Sequence, residues 1–318
     1  MTKYVLKRLL WMIPVAIGVA IVIFTILYFT PGDPAVMILG SSATFEDRQI
    51  LRESMGLNDP YIIQLGRFLK DTFIKFDLGT SYFTGKAVTS EIATRLPYTF
   101  ILALGSMILS CVVGIPLGIT AAVNQNKLSD RISMLIALIG VSMPQFWVGL
   151  LLVLLFSVHL GILPPSGVGS WKHFVIPIIA TSLGGIATQA RLVRSSMLDV
   201  IRADYVTTAR AKGVSKFAAV YKHALPNALI PVITQVGTSF GKTLGGTIVI
   251  ESVFGIPGIG NYMISAVNNR DYPVVRGSVV FLAVTFSFIV LLVDIIYAYV
   301  DPRIKAQYEG KSRRRKNG

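Results

Sequence analysis

The sequence is poor in the residues that do chemistry in solution. Only 16 of its 318 residues are acidic, one is cysteine and three are histidine. The lone Cys111 allows neither an intrachain disulfide nor a cysteine metal cluster, and His159, His173 and His223 are scattered without metal-ligand spacing. No Ser-His-Asp set, no His-Glu-x-x-His and no paired carboxylates inside an apolar run are present, so a membrane enzyme lacks its converging groups. Charged residues make up 14% of the chain, against about 25% in a soluble domain. That is too little charge to solvate two soluble domains of this combined length.

Apolar residues fill the deficit. They account for 53% of the chain, with a mean hydropathy of +0.64, the composition of a membrane protein. Six runs approach or exceed the roughly 20 apolar residues that cross a bilayer: Leu9–Thr30 and, approximately, 97–123, 132–158, 174–193, 226–250 and 274–300. Pro116, Pro144, Pro177 and Pro231 punctuate them, as membrane bundles tolerate. Gly184, Gly185, Gly245 and Gly246 offer close helix approach.

The net charge of +14 could suggest a nucleic-acid partner. In so apolar a chain it reads instead as basic cytoplasmic loops. With the N-terminus inside, 19 of the 30 Lys and Arg fall on the cytoplasmic side. Segment 31–96 holds seven basic and eight acidic residues and is nearly neutral. The positive-inside rule places both termini in the cytoplasm. The expected division is 1–30 (cytoplasmic N-terminus and first span), 31–96 (extracytoplasmic subdomain), 97–300 (five-helix core with a cytoplasmic segment 202–226) and 301–318 (basic tail, suited to anionic lipid).

The stretch Gly237-Thr-Ser-Phe-Gly-Lys-Thr superficially suggests a phosphate-binding loop. The glycines are one residue too close, Val236 stands where the first glycine belongs, and no strand precedes it. Nucleotide binding is therefore rejected there. Lys242 becomes a membrane lysine with two readings: snorkelling to the outer interface, or a pore cation for a substrate carboxylate.

In the outer segment, "FEDRQILRESMGL" and "YIIQLGRFLKDTFIKF" read as amphipathic helices broken at Asn58-Asp59-Pro60, with Leu65, Leu69, Phe73 and Phe76 along one face. Farther on, Gly255, Pro257, Gly258 and Gly260 forbid a continuous helix and could form an outer gate or a plain loop; "NYMISAVNN" suits a short helix.

The cytoplasmic segment "RADYVTTARAKGVSKFAAVYKHALPNALIPV" is the most informative. Asp204–Lys212 suits a helix, Gly213 a turn, and 215–224 a second short helix leading to Pro226 at the first turn of the fifth span. Thr208, Ala209 and Ala211 keep the first helix narrow, with Arg210 and Lys212 on its polar side. A basic helix on anionic lipid is the alternative.

Here the sequence resembles the permease subunits of binding-protein-dependent ABC importers. Their signature is Glu-Ala-Ala, three residues, Gly, nine residues, then Ile-x-Leu-Pro. Thr207-Thr208-Ala209, Gly213 and Leu225-Pro226 keep that spacing, with His223 in place of the isoleucine. "DYVTTARAKG", "YVLKRLL", "TPGDP", "LGTS", "ESVFGIPGIG", "RDYPVV" and "DIIYAYVDPRIK" are similar to the B-type subunits of dipeptide, oligopeptide, glutathione or nickel importers. The resemblance implies an all-α polytopic fold of six transmembrane helices, of the type I ABC importer permease type, in a bacterial or archaeal cytoplasmic membrane. It implies a second homologous permease, two ATPase subunits and an extracytoplasmic binding protein as partners, with ATP and Mg on the ATPases and no cofactor on this chain. Tyr205, Thr207, Thr208, Ala209, Arg210 and Gly213 would form the ATPase-coupling helix, and Leu225 and Pro226 would link it to the fifth span. A secondary transporter would show inverted repeats, and no convincing repeat is visible.

Overall fold

The computed structural model describes residues 2–40 and 42–300. The basic tail 301–318, expected to anchor on anionic lipid, lies outside the described residues. Among the described residues the regular structure is helical, joined by turns and loops, with one isolated antiparallel bridge between Thr80 and Ala87. In order, the helices are α1 (Thr2–Phe29), α2 (Pro34–Leu39), α3 (Phe45–Ser54), α4 (Tyr61–Phe73), α5 (Val88–Val123), α6 (Leu128–Ser142), α7 (Gln145–Val153), α8 (Lys172–Ile201), α9 (Asp204–Ala211), α10 (Lys216–Ala218), α11 (Leu225–Gly246), α12 (Ile248–Val253), α13 (Ile259–Asn268) and α14 (Tyr272–Val300). π-Helical turns extend α7 over Leu154–His159 and join α10 to α11 over Ala219–Ala224.

Among the described residues, four helices are long and apolar enough to span a membrane: α1, α5, α8 and α14. The run read as a single third span, 132–158, is a pair of helices bent by 98°. Pro144 pushes the residue before it out of the helical region, and Met143 accordingly sits at φ −91°, ψ 133°. The expected fifth span, α11, has spanning length at 22 residues but is less apolar, because Gln235, Ser239, Lys242 and Thr243 share one of its faces. It also stops at Gly246, short of the expected Ile250, and α12 resumes after Thr247.

The chain divides into two compact units. The first comprises, over its described residues, Met1–Leu6, Phe100–Ile256 and Ile289–Gly318. Its largest core joins α8, α9, the π-turn and α11 through Val193, Met197, Val206, Val220, Ala224 and Val232. Two glycines one helical turn apart, Gly114 and Gly118, bring α5 against α8. A Cβ on Gly114 would lie 2.7 Å from the Ile186 carbonyl oxygen, and one on Gly118 2.6 Å from that of Ala190. Of the glycines singled out for close approach, Gly185 does meet a neighbour, Ser110, whereas Gly245 faces open space.

The second unit comprises Lys7–Thr99 and Pro257–Phe288. Thr44 caps α3 by accepting from the Asp47 amide at 3.1 Å, and Asp33 caps α2 by accepting from Ala35 at 3.0 Å. Helix α4 buries Leu65 and Phe68 with Ala20, Phe24 and Val280, and half-buried Leu69 and Phe73 flank them. Phe76 does not continue that face. The helix ends at Phe73, and Phe76 is exposed with φ +54°.

Candidate coupling segment and membrane recess

Segment 202–226 begins where α8 ends. Ala203 adopts an extended conformation, and Asp204 occupies the first turn of α9, where its charge suits the helix dipole. Arg210 sits correspondingly in the last turn. The helix ends in a complete Schellman motif: Gly213 donates to Arg210 at 3.0 Å and Val214 donates to Ala209 at 3.2 Å. That closure requires the left-handed backbone found at Gly213, φ +89°, which glycine adopts without steric cost.

One side chain fastens α9 to the membrane helices. Val206 is 2% exposed, within the core shared by α8 and α11. Tyr205, Thr207, Thr208 and Arg210 are exposed around it, Ala209 is half-buried, and Gly213 is exposed at the turn. Ser215 then caps α10, accepting from Ala218 at 3.3 Å. Beyond it the expected second α-helix is mostly a π-turn, with Leu225 donating five residues back to Val220. Pro226 supplies no N–H and its ring crowds the carbonyl four residues earlier, which disfavours a regular α-turn here. The Asn227 side-chain amide donates to His223 O at 3.1 Å. Leu225 is half-buried and Pro226 exposed, at the start of α11.

The loop before α6 is tied to α8. Asp130, 3% exposed, accepts from Arg194 Nε at 2.7 Å and Nη2 at 2.8 Å, and from the Asn126 amide at 2.9 Å. Arg202 donates to Gln125 at 2.8 Å.

Farther along the same unit, α5, α8, α11 and the start of α7 surround a recess of about 200 Å³. Lys242, Gln145, Gln189 and Gln235 line it. Lys242 is exposed in this chain, and the near-motif around it is continuous helix. Composition had pointed only to Lys242; the glutamines are spread over three elements and share no sequence spacing.

In the second unit, Asp271 accepts from Ser81 Oγ at 2.6 Å and the Tyr82 amide at 3.1 Å. Arg95 lies 4.4 Å from the centre of the Tyr262 ring. Burial above all, helped by Glu91 and Asp271, pushes the Tyr262 hydroxyl up to about 12. Of the gate candidates, Gly255 belongs to the first unit with φ +62°, while Pro257, Gly258 and Gly260 belong to the second, where Gly258 precedes α13 and Gly260 is buried within it. Among the described residues, no three His, Cys, Asp or Glu side chains form a metal-binding group.

The inward-facing MetNI methionine ABC transporter is similar in fold over 66% of this chain and 96% of its own, with a TM-score of 0.58 at 19% identity. The family model for binding-protein-dependent transport system inner membrane components matches residues 114–306, and its N-terminal companion matches 1–103. The glutathione transport system permease protein GsiC of Salmonella paratyphi A is 42% identical over 305 residues, covering 96% of this chain and 99% of that protein. The dipeptide transport system permease protein DppB of Alkalihalophilus pseudofirmus is 42% identical over 333 residues, covering 96% and 100%. The chain belongs to the binding-protein-dependent transport system inner membrane components: it is a multi-pass permease subunit of an ABC importer, in the branch that includes dipeptide and glutathione permeases.

Proposed function

We propose that this chain forms half of the membrane pathway for di- or oligopeptides handed over by an extracytoplasmic binding protein. A homologous second permease supplies the other half. Two ATPase subunits carry ATP and Mg, and this chain itself is non-catalytic. Both termini face the cytoplasm, in keeping with the basic loops, and segment 31–96 faces outward as a subdomain available for docking.

The observation that supports the coupling role is the mounting of α9. It exposes Tyr205, Thr207, Thr208 and Arg210 while Val206 is buried in a core that includes residues of α8 and α11. A displacement of α9 by an ATPase groove is thereby delivered to α11 through the π-turn, Leu225 and Pro226. ATP-driven closure then biases two states of the bundle.

The test is uptake of labelled dipeptides and longer peptides in cells lacking this chain, with nickel and glutathione in parallel. Selective loss of peptide uptake, restored by the gene, supports the reading; intact peptide uptake overturns it. Glutathione is the second reading, because glutathione and dipeptide permeases are equally similar to this chain, at 42% identity.

A further inference from the structure

The recess in the first unit is built from polar stripes on apolar helices. On α11, Gln235, Ser239, Lys242 and Thr243 recur at helical spacing and line it; Thr181, Thr188 and Gln189 do so on α8, and Ser106 and Ser110 on α5. Most of the hydroxyl protons are already committed. Ser106 donates to Leu102 O at 2.7 Å, Thr181 to Pro177 O at 2.8 Å, Thr188 to Gly184 O at 2.8 Å and Thr243 to Ser239 O at 2.8 Å. Gln189 is 2% exposed, and its Oε1 has no hydrogen-bond partner among the described residues. A buried amide oxygen left so is destabilising, and a donor arriving with a ligand would recover that cost. Among the described residues, the lining includes one cation, Lys242, and no carboxylate, thiol or imidazole.

We infer that this recess is a substrate subsite that reads a peptide from its C-terminal end: Lys242 pairs with the α-carboxylate, and Gln189 accepts a main-chain N–H. The inference rests on the proposed peptide pathway and deepens it. The glutamine amides match a peptide's own donor and acceptor groups whatever its side chains, so the subsite tolerates sequence variation. With no acidic residue in the described lining, the ammonium end of the peptide has no counter-charge here, and a bare divalent cation has no suitable ligand set.

The test uses the whole importer in cells, with Cys111→Ala as the background and Lys242→Cys added to it. Membrane content of each variant is checked by immunoblot. Loss of the charge-assisted bond is expected to lower labelled tripeptide uptake about tenfold. A thiosulfonate reagent that places an ammonium group on the thiol introduced by Lys242→Cys should restore most of the uptake. Its sulfonate-bearing counterpart should not, and excess unlabelled tripeptide should slow both modifications. Undiminished uptake by the inserted variant, no recovery with the ammonium reagent, or equal recovery with both reagents overturns the subsite while leaving the peptide pathway intact. Absence of tripeptide uptake in the Cys111→Ala parent, when the wild-type gene also confers none, overturns the peptide reading and the subsite with it.

Discussion

Asp130 and Arg194, 64 positions apart in sequence, meet in a two-point ion pair at 2.7 and 2.8 Å. The carboxylate is buried and the guanidinium is partly exposed, with side-chain exposures of 5% and 26%. Removing one partner leaves the other without its match. Arg194→Met should destabilise the chain by about 3 kcal/mol, the lower end of the cost of stranding a buried charge, because Asp130 keeps its bond from the Asn126 amide. Asp130→Asn should cost less, because its amide still accepts a bond. The double variant Asp130→Leu with Arg194→Met should recover part of the loss. Thermal unfolding of detergent-purified protein measures all three.

Gly213 at φ +89° closes the Schellman motif after α9. Any side chain there costs about 1–2 kcal/mol of backbone strain, with Asn the least penalised. Gly213→Glu should abolish ATPase co-purification or leave ATP hydrolysis independent of transport substrate, whereas Gly213→Asn should retain both binding and coupling. Normal assembly and normal uptake by the Glu variant would refute the placement of this turn at the ATPase contact.

Gly118 and Gly245 form a matched pair of tests. A Cβ at 118 would sit 2.6 Å from a backbone oxygen of α8, and one at 245 would meet nothing within 4 Å. Gly118→Ala should separate α5 from α8 and lower the yield of folded protein severalfold. Gly245→Ala should be neutral or slightly stabilising, since alanine is the better helix former by about 1 kcal/mol. Fluorescence-detected size-exclusion profiles distinguish the outcomes.

Tyr262 links stability to alkaline pH. Its hydroxyl titrates near 12 in the fold and near 10 in an unfolded chain. Below about pH 10 both states are neutral and the group has no effect. Between those values only the unfolded chain loses the proton, so the folded state loses ground as pH rises. Tyr262→Phe should therefore flatten the alkaline stability decline between pH 10 and 12, relative to its stability at pH 8, as seen in melting temperatures across that range.

The sequence was most legible where spacing is local. The helix over 204–212, the turn at Gly213 and Pro226 at the start of the fifth span follow from neighbouring residues, and the observed α9 and α11 begin at Asp204 and Leu225. Long apolar runs mark α1, α5, α8 and α14 as spans because the bilayer demands them, yet α11 is diluted by its polar face and the bend at Met143-Pro144 is hidden by continued hydrophobicity on both sides. Gly114 and Gly118 carried a readable small-xxx-small signal that the more conspicuous paired glycines overshadowed. The Asp130–Arg194 pair is not legible, and of the recess only Lys242 is. Each assembles residues from helices far apart in the chain, and nothing in local spacing indicates which helix faces meet.

The π-turn over Ala219–Ala224 holds one residue more than an α-turn needs to close its hydrogen bonds. Absorbing that surplus into regular helix would displace α11 by one residue, about 100° of rotation and 1.5 Å of rise. Gln235 and Lys242 lie on that helix, which continues directly from the turn. A local exchange of one backbone hydrogen-bond pattern for another would thus turn the polar stripe of α11 about its own axis like a key, without any hinge loop.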